Sequence, residues 1–338
     1  MPVARRRSAA LLRADSPRRG ALVHRECAGR IGGLRTASDM ANHDYLIHDD
    51  EFRRCIRLSA NVERLADGCR WAEGPTYFPA LSCLVWSDIP NERLLRWDEC
   101  NGQVGVFRQP SGYANGGTVD RQGRMIRCEQ GGRRVIRVEH DGSVSVLADR
   151  YRGRRFNSPN DVVVQSNGAI WFSDPSYGID SNYEGVRAER EQDGCHVYRI
   201  APECGTVERV ADDFAQPNGL AFSPDETRLY IVDSGLGVGV LRVFDVGTDG
   251  RLSNGREFAR CSDAIYDGLR VDEDGRVWIS AGEGLHCHRA DGRLIGEIRI
   301  PERVSNLVFG GPKRNRLFVT ATTSLYSVLL AVSGAKTF

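Results

Sequence analysis

The stretch "QPNGLAFSPDETRLYIVDS", residues 216–234, is typical of a β-hairpin that begins on a polar residue. A short apolar run, Leu220–Phe222, leads into a turn of Pro, Asp and Glu, and a second apolar run, Leu229–Val232, follows. Asn218 stands at the start of the first strand, whose body is apolar enough to be buried. Taken alone, this asparagine is explained by turn formation, for which its side chain is well suited.

The same pattern recurs six times along the chain. Each copy begins with a polar residue that is usually followed by a glycine, and continues with a short apolar strand, a turn rich in Asp, Asn, Gly or Pro, and a second apolar strand. The copies begin at Ala72, Ala114, Pro159, Pro217, Tyr266 and Ser305, about 40–58 residues apart, with one or two further strands between them. Six repeats of four strands predict an all-β fold, a six-bladed β-propeller.

The repeats also set the expected domain boundaries. Residues 46–338 are predicted to form a single propeller domain, in which residues 52–66 supply a strand that pairs with the last blade and closes the ring. Residues 1–39 carry nine arginines, three acidic residues and no strand-like run. We therefore expect residues 1–45 to be a disordered segment or an over-extended gene start, with Met40 as the more conventional start.

Bulk composition excludes several classes of function. A net charge of +1 argues against a nucleic-acid partner, and no apolar run approaches the roughly 18–20 residues of a membrane helix. The ten cysteines are scattered, without a CxxC pair, which fits a reducing compartment better than a disulfide framework. We expect a cytoplasmic protein without membrane attachment, and either a monomer or a dimer.

Alignment of the repeats gives Asn218 five counterparts. In a propeller the first strand of each blade lines the central channel, and every residue at the mouth of these strands carries a side-chain oxygen. These six residues, the axial residues, are Glu73, Asn115, Asn160, Asn218, Asp267 and Ser305. Turn formation explains Asn-Gly and Asp-Gly but not the glutamate. An oxygen-only set with two acids predicts a divalent-metal site in the channel, most suitably for Ca²⁺, with Mg²⁺, Mn²⁺ or the less well-matched Zn²⁺ as alternatives.

A second set of acids lies at the ends of the second strands. It consists of Asp88, Glu129, Asp174 and Asp233. Antiparallel pairing returns these ends to the face where the first strands begin. Their functional interpretation is that they support the axial residues or act as catalytic acids and bases. The alternative is that they are solvated loop acids, and for Asp88 we favour this alternative.

Residues 175–194, "PSYGIDSNYEGVRAEREQDG", interrupt the third repeat. The segment is too polar for a strand and directly follows a second strand. Two interpretations stay open, a lid over one face of the propeller and a passive surface insertion.

Several of these segments together resemble the SMP-30/gluconolactonase/LRE family, in its bacterial gluconolactonase type. They are "AEGPTYFP", "FNSPNDVVV", "WFSDPSYG", "QPNGLAFSPDETRLYIVDS" and "YDGLRVDEDGRVWIS", and the resemblance covers roughly residues 60–330. It implies a six-bladed propeller with a divalent metal, usually calcium, in its channel. It also implies hydrolysis of a gluconolactone-like sugar lactone to the aldonic acid, which makes the chain a carboxylic-ester hydrolase.

The resemblance also implies roles for individual residues. Glu73, Asn160, Asn218 and Asp267 match the metal ligands, and Asp267 also matches the proposed acid/base. Asn160 corresponds to a residue that binds metal in some members and substrate in others, so Asn115, Asn160 and Glu129 are candidates for substrate contact. Ser158 stands where members active on animal sugar lactones have an arginine, so their substrate contacts do not transfer.

The expected mechanism combines the metal with a general base. A metal can polarise the lactone carbonyl, and a base can take the proton of the attacking water. Asp267 is the first candidate for this base and Asp174 the second. No G-x-S-x-G sequence is present, which argues against a covalent serine route. The alternatives are a hydrolase of aryl esters or phosphotriesters on the same scaffold, and a non-catalytic, calcium-stabilised, ligand-binding propeller.

Overall fold

Six antiparallel sheets follow one another along the chain in the computed structural model, which describes residues 44–202 and 205–336. The first strand of each sheet contacts the first strand of the next, and that of the sixth contacts that of the first, so the sheets close into a ring. The predicted all-β, six-bladed propeller is confirmed. Nearly all of the predicted N-terminal segment 1–45 lies outside the described residues, and that interpretation stays a prediction.

Blades 1 to 3 contain the first half of the strands. Before them the chain forms β1 (Tyr45–Ile47), helix α1 (Asp50–Cys55) and β2 (Glu63–Ala66). Blade 1 consists of β3 (Ala72–Phe78), β4 (Cys83–Asp88), β5 (Arg93–Asp98) and β6 (Val104–Arg108). Blade 2 consists of β7 (Ala114–Val119), β8 (Met125–Glu129), β9 (Arg134–Val138) and β10 (Val144–Ala148), and is followed by a hairpin of β11 (Arg150–Tyr151) and β12 (Arg154–Arg155). Blade 3 consists of β13 (Val162–Val164), β14 (Ile170–Asp174), β15 (Cys195–Ile200) and β16 (Val207–Phe214), with helix α2 (Tyr177–Asp180) after β14.

Blades 4 to 6 repeat this arrangement. Blade 4 consists of β17 (Pro217–Phe222), β18 (Arg228–Asp233), β19 (Gly239–Val246) and β20 (Leu252–Cys261). Blade 5 contains β21 (Tyr266–Val271), β22 (Val277–Ala281), β23 (Gly284–His288) and β24 (Leu294–Arg299), and blade 6 contains β25 (Val304–Gly310), β26 (Arg316–Ala321) and β27 (Ser324–Leu329). No helix in the described ranges has the length and hydropathy needed to cross a membrane.

The ring is closed by the strand that the sequence predicts. β2 pairs antiparallel with β27, with Glu63 opposite Ser327 and Arg64 opposite Tyr326, and so completes blade 6. β1 adds a fifth strand to the outer edge of blade 5 by pairing with β24. This second addition is not predicted from the sequence, because three residues carry too little pattern to distinguish a strand. Both additions cover sheet edges that would otherwise expose unpaired backbone groups.

The hydrophobic core lies between neighbouring blades. Leu84 and Trp86 of blade 1, for example, belong to one buried cluster with Phe318 and Leu325 of blade 6. Because each sheet packs against a neighbour on both faces, its inner strands are apolar on both sides, which explains the continuous apolar runs of the repeats.

The axial residues lie at the entrances of the first strands. In five of the six blades the pairing register shifts at this point; Glu73, for instance, pairs with Ser87, and the next pair is Thr76 with Val85. Such a bulge redirects a side chain. The glycine that follows allows close contact between blades, since a Cβ on Gly74 would lie 2.0 Å from the carbonyl oxygen of Asn115.

Candidate active site

A cavity of about 250 Å³ lies where the first strands begin. Five of the six axial residues line it together, namely Glu73, Asn115, Asn160, Asn218 and Asp267. They come from five different blades, so the repeat brings to one place side chains that are almost 200 residues apart in sequence. The cavity therefore collects two carboxyl groups and three carboxamides.

The carboxyl groups of the cavity are held in a desolvated, electronegative environment. Burial raises the pKa of Glu73 well above its ordinary value, and the Asp267 and Asp161 carboxylates raise it further. Burial raises the pKa of Asp267 to about 8, with repulsion from Glu184 adding to this and Arg303 opposing it. Both raised pKa values show that a negative charge is unfavourable on these buried carboxyl groups. A bound proton or a neighbouring cation offsets that cost.

One of the three carboxamides presents a buried oxygen that lacks a partner among the described residues. The Oδ1 atom of Asn115 is buried and has no hydrogen-bond partner among the described residues. Asn218 uses its amide nitrogen to donate to Ser234 Oγ at 3.1 Å, and that hydroxyl donates to the Tyr266 carbonyl at 2.8 Å. The Asn218 side chain also forms a hydrogen bond with the Asp267 carboxyl group, which favours the ionised form of that group. Buried acceptors without donors are rare in proteins and point to a ligand that supplies the missing contact.

This donor set fits a hard divalent cation. In residues 44–202 and 205–336 no group of three or more His, Cys, Asp or Glu side chains could hold a metal ion, so an ion in the cavity would need the amide oxygens as well. Carboxylate and amide oxygens are the donors preferred by Ca²⁺, Mg²⁺ and Mn²⁺, whereas Zn²⁺ favours nitrogen and sulfur.

Asp174, the second candidate for the base, is not among the residues that line the cavity. Its carboxylate accepts hydrogen bonds from the backbone N–H groups of Asn157 at 2.9 Å and Ser158 at 2.8 Å. These residues immediately precede the segment that carries Asn160. The geometry therefore gives Asp174 a structural task, in which it fixes the chain that presents an axial residue.

Two further second-strand acids do the same in other blades. Asp233 accepts a hydrogen bond from the N–H of Ala215 at 2.9 Å, and Asp88 accepts one from the N–H of Arg70 at 2.9 Å. Each donor stands three residues before the axial residue of its own blade. Asp88 is fully buried, so its interpretation as a solvated loop acid is wrong. These carboxylates satisfy backbone N–H groups that have no partner in a sheet.

Glu129 and Ser305 are not brought to the cavity. Glu129 is buried, and its Oε2 atom accepts a hydrogen bond from Arg134 Nε at 2.6 Å, which uses the carboxylate inside blade 2. Ser305 donates to the carbonyl of Ala72 at 2.6 Å and so links blade 6 to blade 1. The structure thus offers no geometric support for substrate contact at Glu129.

The sequence analysis does not single out six other residues of the cavity wall. These are Trp71, Tyr177, Glu184, Ser234, Ile265 and Arg303. Three of them, Trp71, Ile265 and Arg303, stand two residues before the axial residue of their blade. This repeat position is therefore a usable sequence signal for the wall of the cavity.

Residues 175–194, which we call the strap, contribute Tyr177 and Glu184 to the cavity wall. The base of the strap is bound to two blades, since Ser176 donates its N–H to Gln216 Oε1 at 2.9 Å and Gly178 donates to Ser158 Oγ at 3.0 Å. A segment that lines the cavity favours the lid interpretation over a passive insertion.

Comparisons with known proteins agree with this architecture. Residues 71–323 match the family described as SMP-30/Gluconolactonase/LRE-like region, a range that includes every residue of the cavity wall. A gluconolactonase of Zymomonas mobilis subsp. mobilis is 31% identical, over 81% of this chain and 82% of its own length. A pentonolactonase of Haloferax volcanii is 30% identical, over 77% of this chain and 84% of its own length. A solved gluconolactonase from Xanthomonas campestris is similar with a TM-score of 0.81 and 38% identity, over 85% of this chain and 95% of that one.

Proposed function

The chain belongs to the SMP-30/gluconolactonase/LRE-like family, and on this premise we propose that it hydrolyses a gluconolactone-like sugar lactone to the open-chain aldonic acid. The names of its relatives, gluconolactonase and pentonolactonase, support its assignment as a carboxylic-ester hydrolase. The observation that carries the proposal is the cavity, which gathers Glu73, Asp267 and three asparagines into one polar, partly enclosed site.

The proposed site includes a divalent cation, most suitably Ca²⁺, held by Glu73, Asn160, Asn218 and Asp267. Such an ion, when bound, supplies a Lewis acid that polarises the lactone carbonyl and offsets charge on its oxygen. The unpaired Oδ1 atom of Asn115 is then free to accept a hydrogen bond from a substrate hydroxyl.

Asp267 is the proposed general base. It takes a proton from the attacking water as the new carbon–oxygen bond forms, and it returns that proton to the ring oxygen when the ester bond breaks. In the ion-free protein, burial and the charge of Glu184 raise the pKa of Asp267 to about 8, and a cation bound at the site would lower this pKa and favour the carboxylate that acts as the base. The backbone N–H of Asp267 donates to Ser280 Oγ at 2.9 Å, which fixes the residue at the entrance of its strand.

Proton release in a pH-stat, with spontaneous lactone opening subtracted, tests the proposed reaction. The purified protein with added Ca²⁺ should open D-glucono-1,5-lactone or D-xylonolactone with a higher kcat/KM than phenyl acetate or a phosphotriester. Faster turnover of the aryl ester or phosphotriester would assign the site to that chemistry. No turnover of any of these substrates would favour a ligand-binding propeller.

Replacement of Asn218 by alanine tests the ion site without touching the core. We expect Asn218→Ala to weaken Ca²⁺ binding by about 10-fold, because one oxygen ligand is lost. The propeller should stay folded, since the side chain forms hydrogen bonds with Ser234 and Asp267, both of which belong to the cavity wall. Calorimetric titration with Ca²⁺ and thermal melting by circular dichroism measure the two effects. Asn101→Ala, in an exposed turn, is the matched control. A folded Asn218→Ala protein with unchanged Ca²⁺ affinity would remove Asn218 from the site.

A further inference from the structure

Glu184 is an acid of the cavity wall to which the proposed chemistry assigns no contact with the substrate. It is partly buried and makes no hydrogen bond or ion pair with any residue in the described ranges. Glu184 and Asp267 line the same cavity, and the charge of Glu184 helps to raise the pKa of Asp267. A desolvated carboxylate that lines a cavity without a protein partner has acceptor capacity available for a ligand.

The strap fixes Glu184 from both sides. On one side, the Tyr183 hydroxyl donates to the Arg70 carbonyl at 3.3 Å, and the Arg70 guanidinium lies 5.2 Å from the centre of the Tyr183 ring. On the other side, a Cβ on Gly185 would lie 2.1 Å from the carbonyl oxygen of Gly178, so the strap folds tightly back on its own base. The backbone that carries Glu184 is therefore fixed on both sides of this residue, which lowers the entropic cost of ordering the strap when a ligand binds.

The chemistry of the cavity defines what Glu184 can recognise. With Glu73 and Asp267 nearby, an anionic substituent of the substrate would be repelled at this position. A sugar lactone instead offers hydroxyl groups, and a carboxylate accepts charge-assisted hydrogen bonds from them. We propose that Glu184 is a specificity-determining residue that accepts hydrogen bonds from the hydroxyl groups of the lactone, an inference that rests on the proposed function.

Glu184→Gln tests this role, because it keeps the size of the side chain and removes its charge. The KM for D-glucono-1,5-lactone should rise about 10-fold, with kcat changed far less, since contacts equally strong in ground and transition states affect KM. The Ca²⁺ affinity should fall far less than in Glu73→Gln, because only the attraction of a nearby charge and no ion ligand is lost, and the melting temperature should stay close to that of the wild-type protein. Glu189→Gln is the matched control, because Glu189 lies on the same strap, is exposed and does not line the cavity.

The contact between Tyr183 and Arg70 provides a second, independent readout. If it acts by positioning Glu184, Tyr183→Ala should raise the KM several-fold in the wild-type protein and have little effect when Glu184→Gln is already present. An equal effect in both backgrounds would show that Tyr183 acts independently of Glu184 and would overturn this positioning role.

The outcomes separate this inference from the proposed function. An active wild-type enzyme whose KM is unchanged by Glu184→Gln overturns the role of Glu184 and leaves the lactonase proposal intact. A fall in Ca²⁺ affinity that accounts for the loss of activity would make Glu184 an ion ligand and also overturn the inference. A wild-type protein without lactone turnover overturns the proposed function, and the inference falls with it.

Discussion

Asp267→Asn should lower kcat for a sugar lactone by about 10²–10⁴-fold, which is the usual contribution of a general base. Asparagine keeps an oxygen at this position, so the variant should still bind Ca²⁺, more weakly because a charge is lost, but at saturating Ca²⁺ it still cannot take the proton of the attacking water. Asp267→Ala should lose ion binding and turnover together, because it removes the oxygen as well. Steady-state proton release and calorimetric Ca²⁺ titration of both variants distinguish the two effects.

The matched control for this prediction is Asp174→Asn. This substitution has the same chemistry, but Asp174 does not line the cavity and accepts hydrogen bonds from the backbone of Asn157 and Ser158. We expect it to lower the melting temperature, because an amide can replace only one of the two acceptor oxygens. Turnover by the folded fraction should be largely retained. Full lactonase activity in Asp267→Asn, or its loss in a stable Asp174→Asn protein, would overturn the assignment of the base.

Glu73→Gln should affect ion binding rather than proton transfer. The Glu73 carboxylate is buried near Asp267 and Asp161, and loss of its charge removes attraction for a cation at the cavity. We expect the Ca²⁺ affinity to fall roughly 100-fold, as for the loss of a strong charge-assisted contact. Activity should disappear at low Ca²⁺ and recover at high Ca²⁺, because Asp267 remains in place.

Thermal melting supplies the control for Glu73→Gln. In the presence of chelator the variant should melt no lower than the wild-type protein, since a neutral amide is easier to bury than a carboxylate among other acids. The glutamine oxygen can still accept the hydrogen bond that Asn306 donates to Glu73 at 3.1 Å. Activity lost at all Ca²⁺ concentrations, with the fold intact, would move Glu73 from ion binding to catalysis.

The repeat made most of the fold predictable. Taken alone, Asn218 is explained by its turn. Its equivalent position in the six repeats predicts that it lies near Glu73 and Asp267, and in the structure these three residues line one cavity. The closing strand β2 was predictable for a similar reason, because the last repeat lacks an outer strand of its own. β1 was not, since its three residues become a strand only through the exposed edge of β24.

The features of the site that the sequence does not predict depend on the path of loops and on hydrogen bonds to the backbone. The acceptor role of Asp174 follows from N–H groups that have no sheet partner, and sequence patterns do not reveal which carboxylate satisfies them. The position of Glu184 depends on how the strap folds back at Gly185 and where Tyr183 finds Arg70. Trp71 and Arg303 were within reach of prediction, because they occupy the same repeat position two residues before an axial residue.

The most direct test of the account is the rate of enzyme-catalysed proton release from D-glucono-1,5-lactone before and after removal of bound divalent ions. The protein is treated with chelator, freed of it by gel filtration, assayed with spontaneous opening subtracted, and assayed again after addition of Ca²⁺. We expect the stripped, folded protein to be inactive. Added Ca²⁺ should restore turnover, with a concentration dependence that matches the Ca²⁺ affinity measured by titration. Undiminished hydrolysis by the stripped protein would contradict the account.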